Sequence, residues 1–416
     1  MDLRPRWKFC SYGIAILALP VLVLCVHSLP FSGAKGKTVS SLPEIPFTPP
    51  SSVWKMQESG TTSSLRGIYS VDGRIAWATG TGGTVLRTTD SGAQWRKCTV
   101  PGSDGETLDL RGVQAWDATT AVVMASGPGD KSRLYKTTDG CKSWTLLFKN
   151  PDSPDGFFDS FWLDATGKGF LLGDPVRGLF TVFWTRDRGV RWQREFRDHL
   201  NIGTTNLGAF AASNASILHG ESDYGPAKKV PKLFATGGKG GTFVFSRSPG
   251  LCTMGIAQDT PEECDKPEYS EWKQITVPID SGSASTGIFA LGLHQNFPDR
   301  WRMTAKQATI GFHQVIVAVG GDYAKPNESS GTAAWSDDEG ATWTAAEKPP
   351  HGYRSPVAWS TALKAWIAVG TNGSDTSRDD GKTWQPIDNG SWNALSLPFV
   401  VGPKGCIARL SVVEKK

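Results

Sequence analysis

The 416-residue chain is short of charge, of histidine and of the spacings that ligate metals. Only 20% of its residues are Asp, Glu, Lys or Arg, and the formal net charge is +4. A nucleic-acid binder concentrates basic residues in a stripe, and nothing here stands out beyond Lys228, Lys229 and Lys232. Six His are scattered, and no CxxC or Cys/His pattern suggests zinc, so no metal site is expected. No GxGxxG opens a helix, so no dinucleotide cofactor is expected either, and no other cofactor motif is visible. The charged, Ala/Leu-rich profile of a helical protein is also missing. In its place stand 47 Gly, 26 Pro and 17 Trp, a composition of short strands and tight turns.

The first residues read as an export signal. Arg4, Arg6 and Lys8 make a positive start, an apolar run follows from about Ile14 to Val26, and Ser32-Gly33-Ala34 offers a small-residue cleavage site. The run is short for a spanning helix, so an uncleaved anchor is the second reading. A lipid anchor on Cys25 is the third, because Leu24 is not the small residue such a signal wants. Residues 1–34 are therefore assigned to a signal peptide or N-terminal anchor, 35–51 to a Pro/Ser-rich linker and 52–416 to one domain. The protein is expected outside the cytoplasm: periplasmic, extracellular or anchored. Any contact with membrane would run only through that anchor.

Seven Cys occur, of which Cys10 and Cys25 fall in the signal. Cys252 and Cys264 lie close together in one acidic stretch, about 249–269, and in an oxidising compartment they are the natural disulfide candidate. Cys98, Cys141 and Cys406 are expected to be small buried hydrophobes.

The chain repeats one eight-residue hairpin. Its cleanest copies are Ser336–Trp343 (SDDEGATW) and Ser377–Trp384 (SRDDGKTW). The others are Thr88–Trp95, Thr137–Trp144 with Cys141 at the usual Gly position, and Thr185–Trp192. A sixth copy is split, beginning near Phe245 and resuming at Trp272 after the acidic insertion. This pattern is the Asp box: the carboxylate caps a tight turn, Gly supplies a positive φ, and Trp fills the gap between sheets. Asp90, Asp139, Asp187, Asp338 and Asp379 are thereby assigned to structure, not to chemistry.

Each box is preceded by three strands, so the unit is four short strands in roughly 40 to 50 residues, the mark of a propeller blade. After the last box, three strands end the chain near Leu410, and the Trp54 strand near the start resembles a fourth. The fold class is all-β: a seven-bladed β-propeller closed by the N-terminal strand joining the C-terminal blade, which removes an open edge. The binding face should carry the starts of the innermost strands and the turns between second and third strands. Those positions supply Arg66, Arg111, Asp159, Arg354 and Asn393 from strand starts, and Asp174, Asp322, Tyr323 and Lys404 from turns, with Asp130 and Lys239 beside them. Arg66, Arg111 and Arg354 could converge on a carboxylate, or they could be paired with neighbouring acids in a solvated funnel.

From about Ser52 to Leu410 the chain resembles the photosystem II stability/assembly factor family, single seven-bladed Asp-box propellers. The segments Ala209–Ser213, Phe234–Gly238, Gly287–Phe289, Gly320–Tyr323 and Gly352–Ser355 resemble a non-photosynthetic bacterial branch. The photosynthetic members are implied to be scaffolds that hold an assembling membrane protein. The expectation is a monomeric, non-enzymatic scaffold or assembly factor with a protein partner in the cell envelope and no nucleic acid. The alternative is an exported glycan-acting hydrolase. Sialidases clamp a carboxylate with three Arg on this kind of propeller, but their early Phe-Arg-Ile-Pro segment is absent, and the close Tyr/Glu pairs, Glu221 with Tyr224 and Glu268 with Tyr269, sit in loops. Other glycosidases use two carboxylates across a cleft, for which Asp159 and Asp174, or the His219, Glu221 and Asp223 cluster, are candidates.

Overall fold

The computed structural model describes residues 53–411 except 103–106, 165, 196–199, 204, 219–231, 248–271 and 297–312. The N-terminal segment, the Cys252–Cys264 pair, the acidic insertion, and Glu221, Tyr224, Glu268 and the 219–223 cluster lie outside the described residues. Among the described residues there is no helix long and apolar enough to cross a membrane.

The strands assemble into seven antiparallel sheets. In blade one the order from inside out is Leu65–Ser70, Ala76–Gly80, Thr84–Thr88 and Arg96–Thr99. Blades two, three and four start at Leu110–Ala115, Phe158–Leu163 and Ile217–Leu218; blades five and six start at Thr286–Asn296 and Val357–Ser360. Blade seven takes Ala394–Ser396, Phe399–Val401 and Ile407–Leu410 from the end of the chain. Its outer strand is Trp54–Gln57, which pairs antiparallel with Ile407–Leu410 from Trp54 opposite Leu410 to Gln57 opposite Ile407. The molecule is a seven-bladed β-propeller, and its first strand closes the ring.

Burial follows the position of a strand within its blade. Second strands such as Ala121–Ala125 and Ala365–Gly370 are buried at every residue because a neighbouring blade covers each face. Outer strands such as Arg96–Thr99 and Thr145–Lys149 are mostly exposed and carry Lys and Arg, which discourages edge pairing with other chains. The packed core is divided among seven seams, and each seam holds one Trp from the repeated position. Trp144 packs with the cluster of blades one and two, Trp192 with two and three, and Trp272 with three and four. Trp343, Trp384, Trp54 and Trp95 fill the remaining four in turn.

The hairpins hold those indoles in place by hydrogen bonding. In the hairpin after Ser336, the Asp338 carboxylate accepts from the Ser336 hydroxyl at 2.8 Å, the Thr342 amide at 2.9 Å and the Thr342 hydroxyl at 2.6 Å. The Asp379 carboxylate repeats the set with Ser377 and Thr383. Two successive residues take positive φ in each turn, as at Asp380 (62°) and Gly381 (86°). A Cβ on Gly381 would lie 2.8 Å from Val317 of the preceding blade, so the position wants Gly for space as well as for φ.

Two expectations about cysteine change. Cys98 and Cys141 are not separate hydrophobes; they form a disulfide that joins the outer strand of blade one to the hairpin of blade two. Cys406 is a thiol of intermediate exposure. In blade four, Phe243–Arg247 pairs directly with Trp272–Thr276, with Arg247 opposite Trp272, so the split copy of the hairpin keeps its strand register.

Candidate binding face

Antiparallel order decides which groups share an end of the ring. Inner strands begin, and second strands turn into third strands, at the end opposite the repeated hairpins. At four of those inner-strand starts the ladder slips by one residue, skipping Arg66, Arg111, Asp159 and Phe289. A β-bulge leaves one residue unpaired and re-aims its side chain, which is why chemically unlike residues recur at one structural position. The shared local pattern is an apolar residue, the bulged residue, then a small one: Leu65-Arg66-Gly67, Leu110-Arg111-Gly112, Phe158-Asp159-Ser160 and Ile288-Phe289-Ala290. That pattern was present in the sequence, and it would have added Phe289 to the candidates.

Arg66 and Arg111 share Asp109, a residue the sequence reading passed over. Arg111 Nε sits 2.9 Å from one carboxylate oxygen and Arg66 Nε 3.3 Å from the other, with side chains 27% and 36% exposed. Arg111 also donates to the Ala211 carbonyl at 3.4 Å, and its guanidinium lies 5.8 Å from the Phe157 ring centre. Burial lowers the Arg66 guanidinium, Asp109 offsets part of that, and Arg111 adds to it by like charge. Even lowered, such a group remains cationic at neutral pH.

Blade three supplies acid beside this pair. Asp159 is 2% exposed, and its Oδ2 has no hydrogen-bond partner. Burial pushes its carboxyl well above the ordinary range, Asp174 pushes it further, and Arg111 pulls the other way. Asp174 accepts the Ala209 amide at 3.0 Å, and burial raises it to about 6. Asp174 lines a cavity of about 610 Å³ with Asp155, Asn206, Phe210 and Lys239. Phe210 stacks on Phe289 at 3.9 Å between centroids, and Tyr323, 52% exposed, stands edge-on to both rings. A Cβ on Gly237 or Gly287 would lie 2.7 Å from the Phe210 ring, so these glycines let the aromatic pair settle against the backbone.

Other candidates are placed differently. Arg354 is fully buried, which removes it from a ligand-facing trio of arginines. It is bound to Asp375, itself fully buried, through Nε at 2.6 Å and a second contact from Nη2. Its Nη1 donates to the Tyr353 carbonyl and to Asn372 Oδ1, both at 2.6 Å. Asp322, 5% exposed, accepts the Ala324 amide at 2.9 Å and shapes its own turn. Asn393 donates to the Leu65 carbonyl at 2.8 Å and ties blade seven to blade one. Lys404 is exposed in a left-handed turn (φ 54°) and borders a second cavity of about 520 Å³ with Glu58 and Lys97. Asp130 lies 3.4 Å from the Lys149 ammonium. Among the described residues no group of three His, Cys, Asp or Glu is arranged to hold a metal.

No family model matches the chain. One curated protein does: the photosystem II assembly lipoprotein Ycf48 of Synechococcus sp. (strain CC9902), 26% identical over 189 residues. Over that stretch this chain is similar to Ycf48. The matched region is 44% of this chain and 49% of the cyanobacterial protein, so the chain spans about half the length of that relative. Among solved structures, Ycf48 bound to D1 peptide aligns at a TM-score of 0.50 and 15% identity, over 89% of this chain and 99% of that one. Ycf48 from Cyanidioschyzon merolae aligns at 0.49 and 18%, over 86% and 99%.

Proposed function

We propose that the protein is an exported, non-enzymatic scaffold or assembly factor that binds a protein partner of the cell envelope on the face carrying the strand starts. The observation that carries this reading is the arrangement of Arg66 and Arg111 around Asp109. Two partly exposed guanidiniums share one carboxylate, and the half-exposed Tyr323 stands at a second-to-third strand turn on the same end of the ring. Arg and Tyr are the residue types that dominate protein interfaces, and a guanidinium suits a carboxylate or a peptide carbonyl. The same fold in Ycf48 has been solved with a D1 peptide, which is precedent for a ring of this kind holding a polypeptide. Export is supported by the charged and apolar start of the chain and by the Cys98–Cys141 bond, since disulfides persist in oxidising compartments.

The test is affinity capture from envelope fractions with the native protein and an Arg66→Glu/Arg111→Glu variant side by side. A partner retained by the native protein and lost with the variant is the expected result. Equal recovery with both, or no envelope protein with either, would count against the reading.

The second reading, a glycan-acting hydrolase, draws on the two carboxyls of Asp159 and Asp174, both raised above the usual range. Raised carboxyls are what a general acid needs, but Asp159 is 2% exposed and has no visible route to a substrate. Turnover of a polysaccharide panel that disappears with Asp159→Ala and Asp174→Ala would establish the enzyme. Absence of turnover by the native protein removes it.

A further inference from the structure

In the repeated hairpin, two successive residues adopt positive φ. In four of the five described copies the first is an ordinary residue and the second is Gly: Ser91 with Gly92, Arg188 with Gly189, Glu339 with Gly340, and Asp380 with Gly381. The copy in blade two inverts this order. Gly140 (φ 73°) comes first and Cys141 (φ 66°) holds the second position. The backbone scheme is otherwise unchanged, since the Cys141 amide donates to Thr137 Oγ1 at 2.9 Å just as the Gly92 amide donates to Thr88 Oγ1.

Both halves of the inversion have a cause in blade one. A Cβ on Gly140 would meet Arg87 Nη1, so a larger residue there would push that guanidinium off the Ala118 carbonyl to which it donates. At the second position, a Cβ always points at the preceding blade: on Gly92 it would strike Gln57, on Gly340 it would lie 3.2 Å from Leu233, and on Gly381 2.8 Å from Val317. A side chain at Cys141 therefore has to be taken up by blade one, and what stands there is Cys98 of its outer strand, with the two Cα atoms 6.3 Å apart. A left-handed, β-carbon-bearing residue at this site is unfavourable by itself. The bond turns that unfavourable contact into a covalent link across one of the seven seams.

We infer that the Cys98–Cys141 bond is a seam lock which replaces glycine at the second hairpin, so that full stability of the ring depends on oxidation of this pair. The lock closes a loop of sequence separation 43 within the ring, and so acts on the unfolded chain as well as on the seam. It also makes blades one and two the redox-sensitive sector of the propeller. The inference deepens the export reading and rests on it for the compartment in which the bond forms.

The experiment compares the native chain, Cys98→Ser/Cys141→Ser and Cys98→Ser/Cys141→Gly by thermal unfolding, with and without reductant, together with non-reducing peptide mapping of protein recovered from its exporting host. The mapping should return Cys98 and Cys141 as one linked peptide pair. The serine pair should melt lower than the oxidised native chain by roughly 5 °C or more. The glycine variant should recover part of that loss, because it restores the residue used by the other hairpins. Free, alkylatable thiols at both positions in the exported protein would overturn the inference. So would equal melting of all three chains, or a glycine variant no more stable than the serine pair. These outcomes are separable from the scaffold reading, because partner capture through Arg66 and Arg111 does not require the bond.

Discussion

Arg354 is the residue whose chemistry the fold redirects most completely. Its guanidinium meets a buried Asp375 carboxylate, and the Nη2 group also reaches the His351 ring at 2.9 Å. Replacing Arg354 by Ala strips the buried Asp375 carboxylate of its guanidinium and leaves only His351 against it, which should cost about 3–5 kcal/mol. Urea unfolding of Arg354→Ala checks this, and an unchanged midpoint would contradict the buried ion pair. Asp174 behaves in the opposite sense. Its folded value of about 6 lies above the ordinary carboxylate value near 4, so the native state favours the protonated form. Stability from this group is fullest below about pH 4 and is lost as pH rises through about 6. Asp174→Asn keeps an acceptor for the Ala209 amide while removing the charge. Discounted for the solvent that still reaches the site, it should stabilise the protein by about 1–2 kcal/mol at pH 7.5, with the gain vanishing near pH 4. Melting curves across that range measure the difference.

At the scale of the element, the hairpin and its Trp form one unit. Asp139 and Asp187 are drawn down to about 2, first by the hydrogen bonds from the Ser143 hydroxyl and the Arg191 side chain respectively. Depressed carboxylates support the fold above about pH 4 and withdraw that support as pH falls toward 2, so acid should loosen the hairpins before it affects the blade interiors. Hydrogen exchange at pH 3 should show earlier opening at the Thr137–Trp144 and Thr185–Trp192 turns than in the second strands. The Trp384 indole is fully buried and donates to the Gly381 carbonyl at 2.9 Å. Trp384→Ala should cost about 3–5 kcal/mol, read as a lower denaturant midpoint.

These units were legible in the sequence because a tight turn with a capping acid, a positive-φ Gly and a following Trp draws on few residue types. The inner-strand candidates were legible only as positions. Arg66, Arg111, Asp159, Arg354 and Asn393 do stand at inner-strand starts, yet burial and partners depend on neighbouring blades that no local pattern reports. Arg354 faces Asp375 from its own blade, 21 residues away, whereas Arg66 faces Asp109 of the next. The Cys98–Cys141 contact was hidden for the same reason, since it joins two blades through a position that in other copies holds Gly.

For the whole molecule, closure and the division of labour between its two ends are what matter. The Trp54–Gln57 strand covers the edge of Ile407–Leu410, and the Trp54 indole donates to Ser374 of blade six at 3.0 Å. Removing residues 53–57 should uncover that edge and the seam beneath it, producing a lower melting temperature and concentration-dependent association by light scattering. One end of the ring is committed to hairpins that fix the blades; the other carries the bulged Arg66, Arg111, Asp159 and Phe289. On the proposed function, a partner engages this second end. Site-specific photo-crosslinking in cells that make the protein tests it directly, with the photoreactive residue placed at Tyr323 or Lys404 on one end and at Glu339 or Asp380 on the other. Crosslinks to a discrete protein are expected from Tyr323 and Lys404 and none from the hairpin positions. Crosslinks confined to Glu339 and Asp380 would contradict it.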